Sequence, residues 1–187
     1  MKISVKHMVC NRCVMVVEQI LKGFPNLKVS KVDLGLIELE NQATNQEMDE
    51  LNAELKKKGF ELLDDDKSQK VELIKTTIIR EIHHQEGKKE SNENFSSFLT
   101  KELKMDYSYL NELFSSIEGK TIGQYITLQK IEKAKELLVY DQMSLAEIAD
   151  ILEYNSGQYL SAQFKKVTGL TPSRFKNLGK RRMIDRI

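Results

Sequence analysis

The sequence contains no tryptophan, only two prolines and only two cysteines among 187 residues. So few cysteines exclude a scaffold held together by disulfides, and the shortage of proline and tryptophan argues against an all-β sandwich and favours helices. Apolar runs stop at four or five residues, whereas a membrane-spanning helix needs about 20. The first ten residues, MKISVKHMVC, lack the apolar segment of a signal peptide. Neither a membrane span nor a signal peptide is therefore expected.

Net charge is scarce as well, since it amounts to +1 at pH 7. The distribution of charge is uneven: residues 1–66 carry −3, residues 67–187 carry +4, and the end of the chain, residues 165–187, carries +7. A basic end on a nearly neutral chain is either a phosphate-binding surface or a solvated tail. With 40% hydrophobic residues, the chain can bury a core, which excludes a wholly disordered protein.

Residues 1–66 alternate between strand and helix patterns. Apolar residues at every second position predict a strand over residues 2–7, and a helical stripe follows from Cys13 to Leu21. Two strands flank Gly35, a second helix runs from about Gln46 to Lys58, and a short strand closes the segment. The order β-α-β-β-α-β predicts a ferredoxin-like domain over residues 1–66 and makes the chain an α+β protein.

Residues 67–187 are predicted to be an all-α domain. The acidic run at residues 64–66 favours a helix start, and the helix that follows is expected to reach about His84, before a polar loop from Gln85 to Asn92. The periodicity predicts further helices at about 94–104, 107–118, 122–140, 145–153, 157–167 and 172–179.

An internal repeat lies inside this helical part. The pattern Tyr-Leu-x-x-x-Phe-x-x-x-x-Gly-x-Thr begins at Tyr109 and again, 50 residues later, at Tyr159. Each copy predicts a helix, a tight turn and a second helix with a core stripe of Tyr, Leu and Phe, and Asp106 and Asn155 are expected at the N-caps of the second helices. The repeat therefore predicts two helix-turn-helix units, and the rival interpretation is two αα-hairpins that pack for their own sake.

The second copy carries the side chains suited to DNA. Its second helix presents Ser156, Gln158, Ser161, Gln163, Lys165 and Lys166 on the face predicted to be exposed, and Arg174 follows. Such side chains reach base edges and phosphates. The long helix 122–140 is expected to hold the two reading helices about one turn of DNA apart, roughly 34 Å.

The stretch Ser-Leu-Ala-Glu-Ile-Ala from Ser144 and the fixed pattern from Tyr159 to Lys176 resemble the C-terminal signature of arabinose-regulator (AraC/XylS-type) transcription factors. The resemblance covers about residues 70–180. It implies a seven-helix DNA-binding domain whose reading helices, 107–117 and 156–166, enter successive major grooves. By this resemblance, the candidate DNA contacts also include Tyr107, Ser108, Asn111, Ser115 and Ala162.

The chain departs from that family pattern at several positions. Glu153 replaces a usual glycine, Gly157 falls inside the second reading helix, and Ala162 replaces an arginine that often contacts a base. The first reading helix carries Glu112 and has no Lys or Arg from residue 105 to residue 118. Its affinity for phosphate is therefore expected to be weak.

The two cysteines form the motif Met-x-Cys-x-x-Cys, with Cys10 and Cys13 at the junction of the first strand and the first helix. A helix N-terminus favours a thiolate, and nearby Lys6, Arg12 or Lys58 would lower the thiol pKa further. Two thiolates select a soft ion such as Cu(I) or zinc. Two ligands suit linear Cu(I), whereas zinc would need additional ligands from a partner.

Other interpretations of the cysteine pair are a redox dithiol and two small buried side chains without chemistry. The segment Met8 to Cys13 at the strand–helix junction, and Gly59-Phe60 before the last strand, resemble a heavy-metal-associated domain of copper chaperones over residues 1–64. That resemblance implies a soft-metal site at Cys10 and Cys13. His7 stands where that family usually has glycine.

The sequence thus predicts a cytoplasmic, non-enzymatic DNA-binding transcription regulator that senses Cu(I) or another soft metal ion. Its candidate partners are double-stranded DNA, RNA polymerase and a second copy of the chain, with no membrane. One alternative is constitutive DNA binding, with an N-terminal domain that serves dimerisation, redox sensing or partner binding. Another is a dithiol redox or metal-transfer protein, for which the sequence offers no paired base, nucleophile or cofactor loop.

Overall fold

The computed structural model describes residues 1–63, 65–84, 89–90, 93–140 and 143–184, with the backbone alone for residues 179–184. Asp64 and most of the predicted loop from Gln85 to Asn92 lie outside the described residues. Among the described residues, no helix is both long and apolar enough to cross a membrane.

The N-terminal part contains one four-stranded antiparallel sheet. Its strands are β1 (Lys2–Lys6), β2 (Val29–Asp33), β3 (Leu36–Leu39) and β4 (Glu61–Leu63), in the spatial order β2-β3-β1-β4. The central strand β1 pairs with β3 through Ile3 and Ile37 and with β4 through Val5 and Leu62. Because Ile3 and Val5 alternate with polar residues, one face of β1 is buried.

Two helices, α1 (Asn11–Leu21) and α2 (Asn45–Lys56), accompany this sheet. Thr44 and Glu47 form a capping box at the start of α2, and the apolar stripes of both helices join the sheet in one core that includes Val17, Ile37 and Leu51. The predicted order β-α-β-β-α-β is observed, with element ends that differ by at most two residues.

The next helix, α3 (Asp66–Ile79), begins where the acidic run predicts a start, because the carboxylate of Asp65 accepts a hydrogen bond from the Ser68 N–H at 2.7 Å. The predicted helix reaches His84 as expected, but its last turn, Arg80–His84, is a π-helix. Single π turns inside α-helices accommodate one extra residue and are favoured by tertiary packing rather than by a local sequence pattern.

Six further α-helices follow among the described residues, and their ends agree with the predicted ones at most positions. They are α4 (Phe95–Leu103), α5 (Tyr107–Glu118), α6 (Ile122–Tyr140), α7 (Leu145–Ile151), α8 (Gly157–Thr168) and α9 (Pro172–Ile184). Helix α9 is longer than predicted. With α3, the described residues after β4 contain the seven α-helices that the sequence predicts.

Packing groups the chain into two compact units. The first unit comprises residues 1–80 and 87–119 and holds the sheet with α1 to α5, and the second comprises residues 81–86 and 120–187 and holds α6 to α9. Within the first unit, α3 packs against β1 and β4 and also against α4 and α5. The domains 1–66 and 67–187 remain a prediction from the sequence.

Candidate nucleic-acid interface and dithiol site

The first helix-turn-helix unit joins α4 to α5 through a short turn. The turn starts at Lys104, whose backbone is left-handed at φ 54° and ψ 37°. It ends at Asp106, whose carboxylate accepts hydrogen bonds from the N–H groups of Ser108 and Tyr109 at 2.8 and 3.2 Å. The prediction that Asp106 caps α5 is therefore confirmed.

The second unit joins α7 to α8, and its cap differs from the predicted one. The hydroxyl of Ser156 accepts a hydrogen bond from the Tyr159 N–H at 3.1 Å, so Ser156, not Asn155, is the N-cap. The backbone of Ser156 is extended at φ −166° and ψ 157°, which aims its short side chain at the first turn. The 50-residue offset from Asp106 leads to Ser156, so the repeat itself contained the correct signal.

The turns explain two of the departures from the family pattern. Glu153 replaces glycine, yet its backbone keeps the left-handed conformation, at φ 55°. Gly157 lies at the first residue of α8, where an added Cβ would come within 3.4 Å of the Leu145 carbonyl and the Ala146 nitrogen. Glycine at residue 157 therefore allows α8 to begin close against the backbone of α7.

The predicted reading face of α8 is largely exposed. Six of the predicted DNA contacts here have exposed side chains (Ser156, Gln158, Ala162, Lys165, Lys166 and, on α9, Arg174), whereas Ser161 and Gln163 are half-buried. The opposite face packs inward through the fully buried Leu160 and Phe164. The helix thus offers a contiguous polar surface that ends in two lysines.

The corresponding face of α5 is less exposed and carries no basic residue. Ser108 is exposed, whereas Tyr107, Asn111 and Ser115 are half-buried. The Ser115 hydroxyl donates to the backbone carbonyl of Asn111 at 2.6 Å, so its proton is already used in a hydrogen bond within α5. Glu112 is exposed at the position equivalent to Ala162, so this face has a negative charge at its centre.

The tyrosine of the repeat is not a core residue, contrary to the predicted stripe. Tyr109 and Tyr159 are 44% and 52% exposed, and the ammonium of Lys70 on α3 lies 5.9 Å from the centre of the Tyr109 ring. The Tyr159 ring packs against that of Tyr154, with centroids 5.9 Å apart. The paired aromatic surface was missed because Tyr next to a buried Leu fits a helical core stripe equally well.

Three cations of the basic end of the chain lie on the surface of α8 and α9. Lys165, Lys166 and Arg174 have exposed side chains. The side chains of the remaining cationic residues after Lys176 lie outside the described residues. The spacing of the two reading helices along DNA also remains a prediction, because α5 and α8 belong to different compact units.

The structure brings the two cysteines together. Cys10 is the residue before α1, and Cys13 lies in the first turn of that helix. Their Sγ atoms are 3.5 Å apart. Backbone N–H groups at the helix start, above all that of Cys13, lower the pKa of the Cys10 thiol, and the charge of Arg12 also lowers this pKa. Of the three cations predicted to act, Arg12 is the one with this effect on Cys10.

The loop before the cysteines adopts the backbone that glycine would favour. His7 is left-handed at φ 71°, and its N–H donates to Glu72 Oε1 on α3 at 3.2 Å. Its ring Nδ1 lies 3.2 Å from the Gly59 carbonyl. The next residue, Met8, is fully buried, so the loop is fixed on both sides of its strained residue.

The donor set at this loop fits a soft ion held by two thiolates. Two sulfurs that each lie about 2.3 Å from one ion are at most about 4.6 Å apart, and they reach that separation only in a linear arrangement. The separation of 3.5 Å between Cys10 Sγ and Cys13 Sγ is below that limit, so both can reach one ion in a bent arrangement, whereas linear Cu(I) would need the sulfurs to move apart. No group of three or more His, Cys, Asp or Glu side chains suited to a metal is present in the described part of the chain.

The two neighbouring histidines differ in their surroundings. His83 is half-buried with Nε2 2.9 Å from Gln129 Oε1, whereas His84 is exposed. Burial lowers the pKa of His83. Of these two residues, His84 alone is therefore open to solvent.

Comparison with known proteins agrees with this arrangement. Residues 99–178 match a family model described as a helix-turn-helix domain. The chain is 38% identical over 76 residues to the transcriptional regulatory protein YesN of Bacillus subtilis, a match that covers 40% of this chain and 21% of YesN. It is 39% identical over 74 residues to the xylose operon regulatory protein of Haemophilus influenzae, covering 40% of this chain and 19% of that protein.

A solved structure supports the same fold. The C-terminal domain of AraT, a response regulator from Geobacillus stearothermophilus, has a TM-score of 0.50 at 22% identity, covering 61% of this chain and 88% of that domain. Residues 99–178 are therefore a helix-turn-helix domain. The chain spans only about a fifth of the length of the two curated relatives.

Proposed function

We propose that this chain is a DNA-binding transcription regulator that acts in the cytoplasm and reads DNA mainly through α8. The observation that carries the proposal is the exposed polar face of a capped helix in a helix-turn-helix unit, with Lys165 and Lys166 at its C-terminal end. Double-stranded DNA is the proposed partner. RNA polymerase and a second copy of the chain are further candidates.

Each part of the α8 face has a separate role in this proposal. Gln158 has the amide geometry that pairs with the adenine edge in the major groove. Lys165 and Lys166 contact phosphates, which strengthens binding to every sequence and makes it dependent on salt. Ser156 caps the helix, so its contribution is to hold the start of α8 as well as to lie near DNA.

The face of α5 supports a weaker role in DNA binding. The carboxylate of Glu112 repels phosphate, and at a base edge it accepts a hydrogen bond from the N4 amino group of cytosine. The affinity for DNA is therefore proposed to come mainly from α8 and Arg174. Helix α5 contributes orientation and a limited choice of bases.

We further propose that the N-terminal part is a ferredoxin-like, heavy-metal-associated domain that senses Cu(I) or a similar soft ion. The antiparallel strand order β2-β3-β1-β4 and the two Sγ atoms 3.5 Å apart support this. When bound, the ion would supply a bridge between two thiolates. Cys10 and Cys13 would hold it, and the helix start stabilises their ionised form.

One experiment tests both levels of the proposal. Fluorescence anisotropy measures the affinity of the reduced full chain for DNA from upstream of its own gene, without and with one equivalent of Cu(I). A change of about tenfold, equal to about 1.4 kcal/mol of coupling, is expected for the wild type and not for the variant with Cys10→Ser and Cys13→Ser.

The other results assign the function differently. Tight DNA binding that ignores Cu(I) would contradict copper sensing and leave a constitutive regulator. The N-terminal part would then serve dimerisation, thiol oxidation or a protein partner. Failure to bind any duplex at low salt would contradict DNA binding itself.

A further inference from the structure

A continuous set of polar contacts connects the cysteine loop to the first reading helix. It starts at the backbone of His7, three residues before Cys10, and passes to Glu72 on α3. Glu72 Oε2 lies 3.3 Å from Lys75 Nζ, and the same ammonium lies 3.1 Å from Glu118 Oε1 at the last residue of α5. All of these residues belong to the first compact unit.

The position of Glu72 makes this set of contacts more than a surface ion pair. Its side chain is only 5% exposed, and that of Lys75 is 14% exposed. A buried carboxylate is tolerated only when hydrogen bonds and a counter-charge satisfy it. The Glu72 carboxylate accepts the hydrogen bond from the His7 N–H and is neutralised by Lys75. A change at either partner therefore changes how well this one buried carboxylate is satisfied.

The packing of α3 keeps Glu72 next to the sheet. A Cβ added at Gly35 would lie 2.9 Å from Thr76 Cγ2 and 3.8 Å from Glu72 Cγ, so the turn between β2 and β3 approaches α3 closely. Arg80 Nη2 donates to Asp33 Oδ1 at 2.6 Å and so attaches the end of α3 to the same turn. Helix α3 is therefore a rigid support for the link.

The backbone of His7 is close enough along the chain to move when Cys10 moves. Only Met8 and Val9 separate His7 from Cys10, and Met8 is fully buried. A movement of Cys10 is thus passed to the strained backbone of His7 rather than absorbed by a long loop. A pocket of about 350 Å³ is lined by His7, Glu72, Lys75 and Glu118, among others, so it runs along the whole link and gives the ammonium room to change partners.

We propose that Glu72 and Lys75 are positioning residues that couple the Cys10–Cys13 loop to the orientation of α5. This inference rests on the proposed function, because α5 matters here as the first reading helix. Lys75 is shared between two carboxylates. When the His7 N–H moves away from Glu72, the Lys75 ammonium is drawn towards Glu72 and releases Glu118. When the Lys75 ammonium instead moves towards Glu118, Glu72 holds the His7 N–H more firmly and the cysteine loop tightens.

Coupling of this kind is reciprocal, so it can be measured from the α5 end without a metal or an oxidant. The readout is the rate at which iodoacetamide alkylates Cys10 in the reduced, metal-free full chain, followed by peptide mass spectrometry. Glu118→Gln leaves Lys75 with Glu72 alone, which weakens the hold of Glu72 on the His7 N–H. We expect alkylation of Cys10 about fivefold faster.

Variants of Lys75 separate coupling from a merely structural role. Lys75→Arg keeps the cation and its reach, so the effect of Glu118→Gln persists in that background. Lys75→Met breaks the link, so Glu118→Gln has no further effect there. If the residues acted only through general stability, the two changes would add instead. Glu54→Gln, which removes the exposed carboxylate paired with Lys57 on α2, is the matched control and leaves the effect intact.

The outcomes are distinct for the link and for DNA binding. The inference is overturned if Glu118→Gln leaves the alkylation rate of Cys10 unchanged. It is also overturned if adding Glu118→Gln to Lys75→Met accelerates alkylation as much as it does in the wild type. If circular dichroism shows that Lys75→Met does not fold, Glu72→Gln is used in its place as the variant in which the link is broken.

A second experiment uses DNA: a mixed-sequence duplex at low salt should change the alkylation rate of Cys10 in the wild type and not in Lys75→Met. A chain that binds no duplex contradicts the proposed function alone, because the first arm still decides the link.

Discussion

Lys104 and Glu153 occupy equivalent positions in the two helix-turn-helix turns and share one strained backbone conformation, with φ of 54° and 55°. Each follows the last leucine before its turn, Leu103 or Leu152. Neither is a glycine, although the left-handed region costs other residues free energy. The repeat is therefore conserved within the chain at the level of backbone angles, even where the residue type differs.

The first prediction concerns this strain. Glu153→Gly removes the cost of a left-handed non-glycine residue, offset by the greater freedom of glycine in the unfolded chain. We expect the free energy of unfolding to rise by roughly 0.5–1 kcal/mol, measured by urea titration. The exposed Asp150 lies in α7, so Asp150→Gly is the control and should lower that free energy. Equal effects of the two glycines would contradict the assigned strain.

The second prediction concerns the cap of α8. Ser156→Ala removes the acceptor for the Tyr159 N–H and should lower the free energy of unfolding by about 1 kcal/mol. The neighbouring residue Asn155 is not the N-cap of α8, so Asn155→Ala should stay within about 0.5 kcal/mol of the wild type. Thermal or urea unfolding of both variants is the measurement. A larger loss for Asn155→Ala would show that the helix starts one residue earlier.

The third prediction concerns the phosphate contacts. Replacing Lys165 and Lys166 by glutamine removes two exposed cations from the end of α8. The logarithmic dependence of DNA affinity on salt should become shallower by about 1.8, which is 0.9 for each lost phosphate contact. The loss of affinity should be equal for different sequences. Lys57, exposed on the N-terminal part, provides the control Lys57→Gln, which should leave the slope unchanged.

The fourth prediction concerns pH. Burial lowers the pKa of His83 below that of the unfolded chain, and Lys133 lowers it further, while Gln129 and Glu136 act in the opposite direction. The unfolded state therefore binds the proton more readily, so the contribution of His83 to stability is present above about pH 6.5 and is lost as the pH falls through its folded pKa.

Urea unfolding between about pH 7 and pH 5 measures this contribution. The wild type should lose stability towards the acid end, and His83→Gln should lose less, because glutamine does not take up a proton. His84→Gln removes a neighbouring charge that also lowers the pKa of His83, so its pH dependence should fall between those of the wild type and His83→Gln. Identical pH dependence in the wild type and His83→Gln would contradict the assignment.

Local signals were sufficient to predict most of the elements. The ends of α5 follow from the Asp106 cap and the left-handed Gly119, both of which are visible in the sequence as strong start and stop residues. The alternation of periods two and 3.6 likewise predicted the order β-α-β-β-α-β. These features depend on neighbours within a few residues, which is why one sequence contains enough information about them.

Features that depend on distant residues were not predictable in the same way. The contact between the His7 backbone and Glu72 spans 65 residues, and no local pattern specifies it. The exposure of Tyr159 and the partial burial of His83 depend on which neighbours cover them. The packing of α3 against both the sheet and α5 is of the same kind, because an apolar stripe does not identify its partner.

The most direct test of the central claim, that α8 reads DNA sequence, is a specificity ratio. Selection from a random duplex pool gives the preferred site, and anisotropy at one fixed salt concentration compares its affinity with that of mixed-sequence DNA. We expect a ratio of about a thousandfold or more for the wild type, and a clear loss of preference with Gln158→Ala at nearly unchanged affinity for mixed DNA. A wild-type ratio close to one, or a preference that Gln158→Ala leaves intact, would contradict it.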